Sequence, residues 1–208
     1  MHTERGRLIT IEGIDGAGKT TLAAALLDAL KARGLDVLLL REPGGVSAAE
    51  RIREVVIDPE LHVTPRTEAL LYAAARAQLV EEALEPLLRA GKWVLLDRFI
   101  DSSLAYQGGG RELGIDAVRT INEFAIRTAR PDRTLLLLID ADLGRSRSRS
   151  RAEAPDRLER EHNEFFNRTA AAYLQLAAED PGRIRKIDAT RPAGEVLAGA
   201  LEQLADLL

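Results

Sequence analysis

Gly13-Ile14-Asp15-Gly16-Ala17-Gly18-Lys19-Thr20 follows a short apolar run and opens a helical pattern, the spacing G-x-x-x-x-G-K-[ST]. Glycines let successive backbone N–H groups curl around phosphate oxygens, and the start of a helix adds partial positive charge. In this chemistry Lys19 reaches the β/γ-phosphates and the Thr20 hydroxyl ligates Mg²⁺. Gly13, Ile14, Asp15, Gly16, Ala17, Gly18, Lys19, Thr20 and the adjoining Thr21 are therefore the candidate ATP site. Two further apolar runs each deliver an arginine at their ends: Arg41 in Arg41-Glu42-Pro43-Gly44-Gly45, and Arg98 in Asp97-Arg98-Phe99. Planar guanidinium forks suit phosphate oxygens, although a strand-end arginine can also be simply solvated. A third basic feature is GRSRSRSRAEAPDR, residues 144–157, with Arg145, Arg147, Arg149, Arg151 and Arg157 gathered in a chain of net charge −4.

The elements that must position these groups are legible as alternation. Nearly continuous apolar runs at Leu8–Glu12, Val37–Leu40, Trp93–Asp97, Thr134–Asp140 and, more weakly, Arg183–Asp188 predict strands buried on both faces of a parallel sheet. Between them, helical periodicity predicts helices at Lys19–Arg33, Ala48–Val56, Pro65–Ala90, Asp116–Ala129, Asp142–Arg151, Arg160–Glu179 and Ala193–Leu207, with Gly34 and Gly91 placed as C-terminal stops. Strand–helix alternation implies an α/β three-layer sandwich of the P-loop NTPase kind, a five-stranded parallel sheet between helices. No internal repeat or long linker interrupts the 208 residues, so one domain is expected.

Composition narrows the functions. With 46% hydrophobic and 30% charged residues the chain reads as an ordinary soluble globular protein. The absence of cysteine excludes disulfides and thiolate metal sites and suits a reducing compartment. The N-terminal MHTERGRLITIEG has no apolar signal core, and no run approaches the ~18 residues that span a bilayer. A cytoplasmic protein without membrane partner is expected. Net negative charge argues against a nucleic-acid backbone as partner, which needs a broad basic face. A phosphate cradle is shared by motors, GTPases, helicases and small-molecule kinases. The chain lacks an N-K-x-D guanine-reading motif and is too short for a motor's extra elements, which leaves a small-molecule kinase in front.

Six segments together, EGIDGAGKTT, REPGG, EALLYAAARAQL, DRFIDSSLAYQGGGR, RPDRTLLLLID and FFNRTAAAYLQLA, resemble the thymidylate kinase family in order and over essentially the whole chain. The resemblance implies transfer of the γ-phosphoryl of ATP to dTMP with Mg²⁺, in a homodimer. It implies that Arg98 holds the dTMP phosphate and that Arg53 approaches it. Asp97 would sit beside the phosphates, organising metal or lysine, and Asp15 would accept the sugar 3′-OH. Tyr72 and Arg76, four apart on one helix face, match the family's stacking aromatic and thymine-reading arginine. Ser103 and Gln107 would complete the nucleoside pocket. Two departures stand out: Tyr72 occupies a position that is usually Phe, and Phe99 one often held by Tyr or His.

Some members of the family carry a catalytic arginine inside the cradle; Asp15-Gly16-Ala17 holds none. The family's other type supplies that charge from a LID, and residues 144–158 fall where the LID belongs. Arg149, Arg151 and Arg157 are the arginines expected nearest the transferring phosphate. The alternation forbids all of them one helix face, since Arg147 pairs with Arg151 at i,i+4 and Arg145 with Arg149. Some must therefore be solvated.

Overall fold

The computed structural model describes residues 5–149 and 157–208. The chain runs β1 (Leu8–Glu12), α1 (Lys19–Ala32), β2 (Val37–Arg41), α2 (Ser47–Ile57) and α3 (Pro65–Leu79), which passes through a π-helical turn at Val80–Leu84 into α4 (Glu85–Arg89). Then come β3 (Trp93–Asp97), α5 (Ile100–Ser103) continuing as a π-helical segment at Leu104–Gly110, α6 (Ile115–Ile126), β4 (Arg133–Leu138), α7 (Ala141–Arg149), α8 (Asn163–Glu179), β5 (Ile184–Asp188) and α9 (Ala193–Glu202).

All pairings among the five described strands are parallel, in the order β2-β3-β1-β4-β5. The two-residue period of a strand divides its side chains between two cores. Ile9 and Ile11 of β1, with Leu135 and Leu137 of β4, meet Leu22, Leu26 and Leu30 of α1 and Ala200 beside them on α9. Leu8, Leu96 and Leu136 face the other way, onto Leu79, Val118, Phe165 and Tyr173. Leu22, Leu26 and Leu30 recur every four residues and are essentially solvent-free, each contributing about 1.5–3 kcal/mol of burial. The crossover after β1 runs to β2 on one side of it, and the crossover after β3 runs past β1 to β4 on the other. The sheet is thus split at the carboxyl end of β1, where ligands of such folds bind.

Two local departures from the sequence expectation have physical causes. The single helix expected over Pro65–Ala90 is interrupted at 80–84 because Pro86 has no N–H for the carbonyl four residues back; a wider turn, closed by Glu85 N–H to Val80 O, absorbs the gap. The segment 100–110 was not expected to be helical, since Gly108-Gly109-Gly110 is poor helix sequence. Packing overrides propensity there. A Cβ on Gly109 would lie 2.5 Å from Ala172 Cβ, and one on Gly110 2.6 Å from the Phe165 ring, so only glycine lets this segment lie against α8. Among the described residues, no helix is long and apolar enough to cross a membrane.

Candidate active site

The turn after β1 is held open by glycines in left-handed conformations, Gly16 at φ 78° and Gly18 at φ 90°. Gly18 caps α1, so Lys19 and Thr20 sit in its first turn with their N–H groups directed at the turn's concavity. Lys19 is buried; its Nζ donates to the Ile14 carbonyl at 2.9 Å and lies 3.9 Å from Asp15. Burial, reinforced by the Arg98 charge, lowers its pKa to about 8. Phosphate oxygens beside such a group would hold its proton on more firmly.

Thr20 Oγ1 donates to Asp97 Oδ2 at 2.9 Å, which places a hydroxyl and a carboxylate side by side at the mouth of the cradle. Hard oxygen donors of this kind suit Mg²⁺, which keeps several waters and takes few protein ligands. Pairing of Arg41 with Asp97 across β2 and β3 brings Arg41 to the same rim. Its guanidinium reaches the Pro43 carbonyl and both oxygens of Glu50. Arg53 also donates to the Pro43 carbonyl, at 3.3 Å.

Arg98 leaves β3 with φ 69°, an unfavourable conformation for a non-glycine residue. The fold imposes it from beneath. Glu12, wholly buried, accepts from the Phe99 N–H at 2.7 Å, from Ser102 Oγ at 2.6 Å and from Tyr173 Oη at 2.9 Å. Burial, with the nearby Asp101 charge, raises Glu12 to about 7. So held, the Arg98 guanidinium turns back over the cradle, to the Gly13 carbonyl and to the Asp15 carboxylate, with its Cζ 5.1 Å from the Tyr106 ring centre. Tyr106 Oη donates to the other Asp15 oxygen at 3.0 Å.

One cavity of about 370 Å³ joins these groups. Asp15, Lys19, Thr20 and Asp97 line its phosphate end, and Tyr72, Arg76, Ser103 and Gln107 the far end, with Arg41, Arg53 and Arg98 between. Every side chain expected to bind substrate therefore borders a single space. Arg76 is the most enclosed of them, 2% exposed. Its Nε donates to Glu42 at 2.9 Å, Nη1 to Ser103 Oγ at 2.9 Å and to Asn122 Oδ1, and Nη2 to the Phe99 carbonyl at 3.0 Å, with Glu42 2.6 Å from Nη2. These partners occupy all five of its N–H bonds. Burial meanwhile pushes Glu42 up to about 7 against the pull of Arg76. Tyr106, Ser102 and Glu42 border the cavity without having been singled out from sequence. Reading 100–107 as helical would have found the first two, on one face with Ser103.

The basic stretch divides. Arg145 lies over the Phe166 ring, Arg147 donates to the Ala189 carbonyl, and Arg149 closes α7. Arg151 lies outside the described residues. Arg157 turns toward α2 and α3: its Nε donates to the Val56 carbonyl at 2.9 Å and its Nη2 stands 2.7 Å from Glu68.

A thymidylate kinase family model matches residues 11–199. The chain belongs to the thymidylate kinase family. It is 46% identical over 208 residues to a thymidylate kinase of Bordetella petrii, covering 99% of both chains. It is equally identical to those of Halorhodospira halophila, over 99% of this chain and 97% of the relative, and of Oenococcus oeni, over 99% and 98%. One position of this chain's cradle is tightly constrained. A Cβ on Gly16 would stand 2.0 Å from the Gly144 carbonyl, because the start of α7 rests on the loop. Gly16→Arg, the substitution that would give the chain a cradle arginine, must therefore displace α7. It should raise the KM for ATP at least about tenfold and lower the melting temperature, by strain of ~1 kcal/mol or more. Steady-state kinetics with a thermal melt will show whether the loop instead accepts the side chain.

Proposed function

We propose that this chain transfers the γ-phosphoryl group of ATP to dTMP, giving dTDP and ADP, with Mg²⁺ as cofactor. What supports the reading most is the one cavity that runs from Lys19 and Thr20 to Tyr72 and Gln107, in a chain of the thymidylate kinase family. It joins a phosphate cradle to a nucleoside-sized pocket through three arginines.

Each group then has a task. The cradle N–H groups and Lys19 hold the ATP phosphates. Thr20 and Asp97 would hold Mg²⁺, which when bound neutralises charge on the phosphates. Arg98, Arg53 and Arg41 hold the dTMP phosphate in line with the γ-phosphorus. An oxygen of that phosphate forms the new P–O bond as the bond to the ADP oxygen breaks. Asp15, whose carboxylate is already oriented by Arg98 and Tyr106, accepts the 3′-OH, and Tyr72 stacks on the base. Arg149, Arg151 and Arg157 of the LID, residues 144–158, supply charge to the transferring group. Arg157 must leave Glu68 to do so. The whole chain acts as one nucleoside monophosphate kinase domain, in the cytoplasm. A coupled ADP-release assay over a panel of nucleoside monophosphates tests the assignment: dTMP is expected to give the highest kcat/KM. A preference for any other monophosphate, or ATP turnover needing none, overturns it.

The working unit we propose is a homodimer built on α3 and α6. These adjacent helices carry Leu70, 56% exposed, and Phe124, 88% exposed. Replacing both by Glu should shift the sedimentation coefficient from dimer to monomer. A wild-type chain that sediments as a monomer would leave these residues as isolated surface apolar groups.

A further inference from the structure

Glu68 is a fully buried carboxylate on α3 that takes no direct part in the chemistry above. Gln107 Nε2 donates to its Oε1 at 2.8 Å. Arg111 forks onto it, Nε at 3.2 Å from each oxygen and Nη2 3.0 Å from Oε2, and Arg157 stands 2.7 Å from the same Oε2. We infer that Glu68 is a positioning residue for pyrimidine selectivity: by accepting the Gln107 amide N–H it forces that side chain to present its carbonyl oxygen to the base. The inference deepens the dTMP kinase reading and rests on it.

An amide has two ends that differ by hydrogen-bond sense and little by shape. A carboxylate between two guanidinium groups only accepts, so the NH₂ end of Gln107 must face Glu68. The oxygen is then the end left for the cavity that Gln107 lines with Tyr72, Arg76 and Ser103. Gln107 is 2% exposed, so the orientation of its amide is set by Glu68 and not by bulk water. Its setting is tightly packed as well, since Gly108 lies against Ile115 of α6, Gly109 and Gly110 lie against α8, and the Arg111 guanidinium lies 4.9 Å from the Phe165 ring centre.

The consequence follows from the bases. Thymine and uracil carry N3–H, a donor, whereas cytosine presents N3 as an acceptor. A fixed carbonyl oxygen meets the first two with a hydrogen bond and the third with two opposed lone pairs. A buried polar group left unpaired discriminates far more strongly than a missing methyl group does. A neutral amide in place of Glu68 could turn either end to Gln107 and so permit either orientation.

The test compares dissociation constants of dTMP, dUMP and dCMP, by titration calorimetry, for wild type, Glu68→Gln, Gln107→Leu and the double variant. The dTMP-over-dCMP preference should fall at least ~10-fold in Glu68→Gln and in Gln107→Leu. The double variant should lose no more than Gln107→Leu alone, because Glu68 acts through Gln107. The dTMP-over-dUMP preference should stay as in wild type throughout, since both bases carry N3–H; general loosening of the pocket would move it. An unchanged dCMP preference in Glu68→Gln, or losses that multiply in the double variant, overturns the inference. If Glu68→Gln does not fold, Glu68→Asp withdraws the carboxylate by one methylene while keeping its charge, and its dCMP preference is read the same way. An unchanged preference in Gln107→Leu overturns the inference whatever Glu68 variants do. A wild type that neither binds nor phosphorylates dTMP would remove the underlying kinase reading instead.

Discussion

Lys19→Met is expected to lower kcat by at least about 10³-fold while leaving the melting temperature at or above that of wild type. The first half follows from the position of Nζ, in the cradle between Ile14 and Asp15, where in the proposed reaction it would meet the charge that grows on the transferring phosphate. A single fixed cation or donor at such a point is worth about 10²–10⁵ in rate. The second half follows from burial. Lys19 is held at about 8 in the folded protein against 10.5 for a free lysine. A lysine depressed in this way weakens the fold below its unfolded pKa, by an amount that reaches its full size below pH 8. The penalty is on the order of 3 kcal/mol at neutral pH, and methionine of similar length does not incur it. The same shift has a kinetic signature. In wild type, kcat/KM for ATP should fall about tenfold per pH unit above 8, as free enzyme loses the Lys19 proton, while kcat stays flatter because bound phosphates hold the proton on. Turnover within tenfold of wild type in Lys19→Met would take the lysine out of the mechanism. A large fall in melting temperature would show that its role is structural.

Much of this site can be read from spacing. The cradle is a local object: strand, turn and helix follow one another in sequence, so Gly13–Thr20 reveals both its shape and its ligand. The strands were legible because β1, β3 and β4 are buried on both faces, which leaves continuous apolar runs whose ends shift by only a residue or two. What spacing cannot reveal is partnership across the fold. Arg76 could be placed four residues from Tyr72. That Glu42, Asn122, Ser103 and the Phe99 carbonyl enclose it depends on three other elements. The enclosure changes the experiment: Arg76→Ala would strand Glu42 as an unpaired buried group at a cost of about 3–5 kcal/mol, mixing stability with specificity. Arg157 shows the same limit. From its place in the basic stretch it reads as a cation for the transferring phosphate, yet in the fold its partner is Glu68, 89 positions away. The glycine run of 108–110 misled in the opposite direction, because close approach to α8 outweighs poor intrinsic propensity.

Arg98→Gly separates function from stability more sharply than any alanine substitution could. Arg98 combines a backbone that glycine prefers, at φ 69°, with a side chain that reaches the Asp15 carboxylate and the Gly13 carbonyl at the junction of both halves of the cavity. A non-glycine residue in this conformation stores about 1–2 kcal/mol, and structures retain such strain where geometry serves a site. Glycine relieves the strain and deletes the guanidinium in one step. Asp15 keeps Lys19 at 3.9 Å and the Tyr106 hydroxyl at 3.0 Å, so its charge is not abandoned. The melting temperature should therefore change by no more than a few degrees in either direction, since relief of strain and loss of the Asp15 contact oppose each other. Activity has no such compensation. In the proposed reaction the acceptor phosphate would lose the cation that β3 supplies, and kcat/KM for dTMP should fall at least about 10³-fold, with a much smaller change in ATP affinity. Thermal melting and initial-rate kinetics on one preparation decide the matter. A destabilised variant that still phosphorylates dTMP at near the wild-type rate would assign Arg98 to holding Asp15 and the turn after β1 in place, and leave the acceptor phosphate to Arg41 and Arg53.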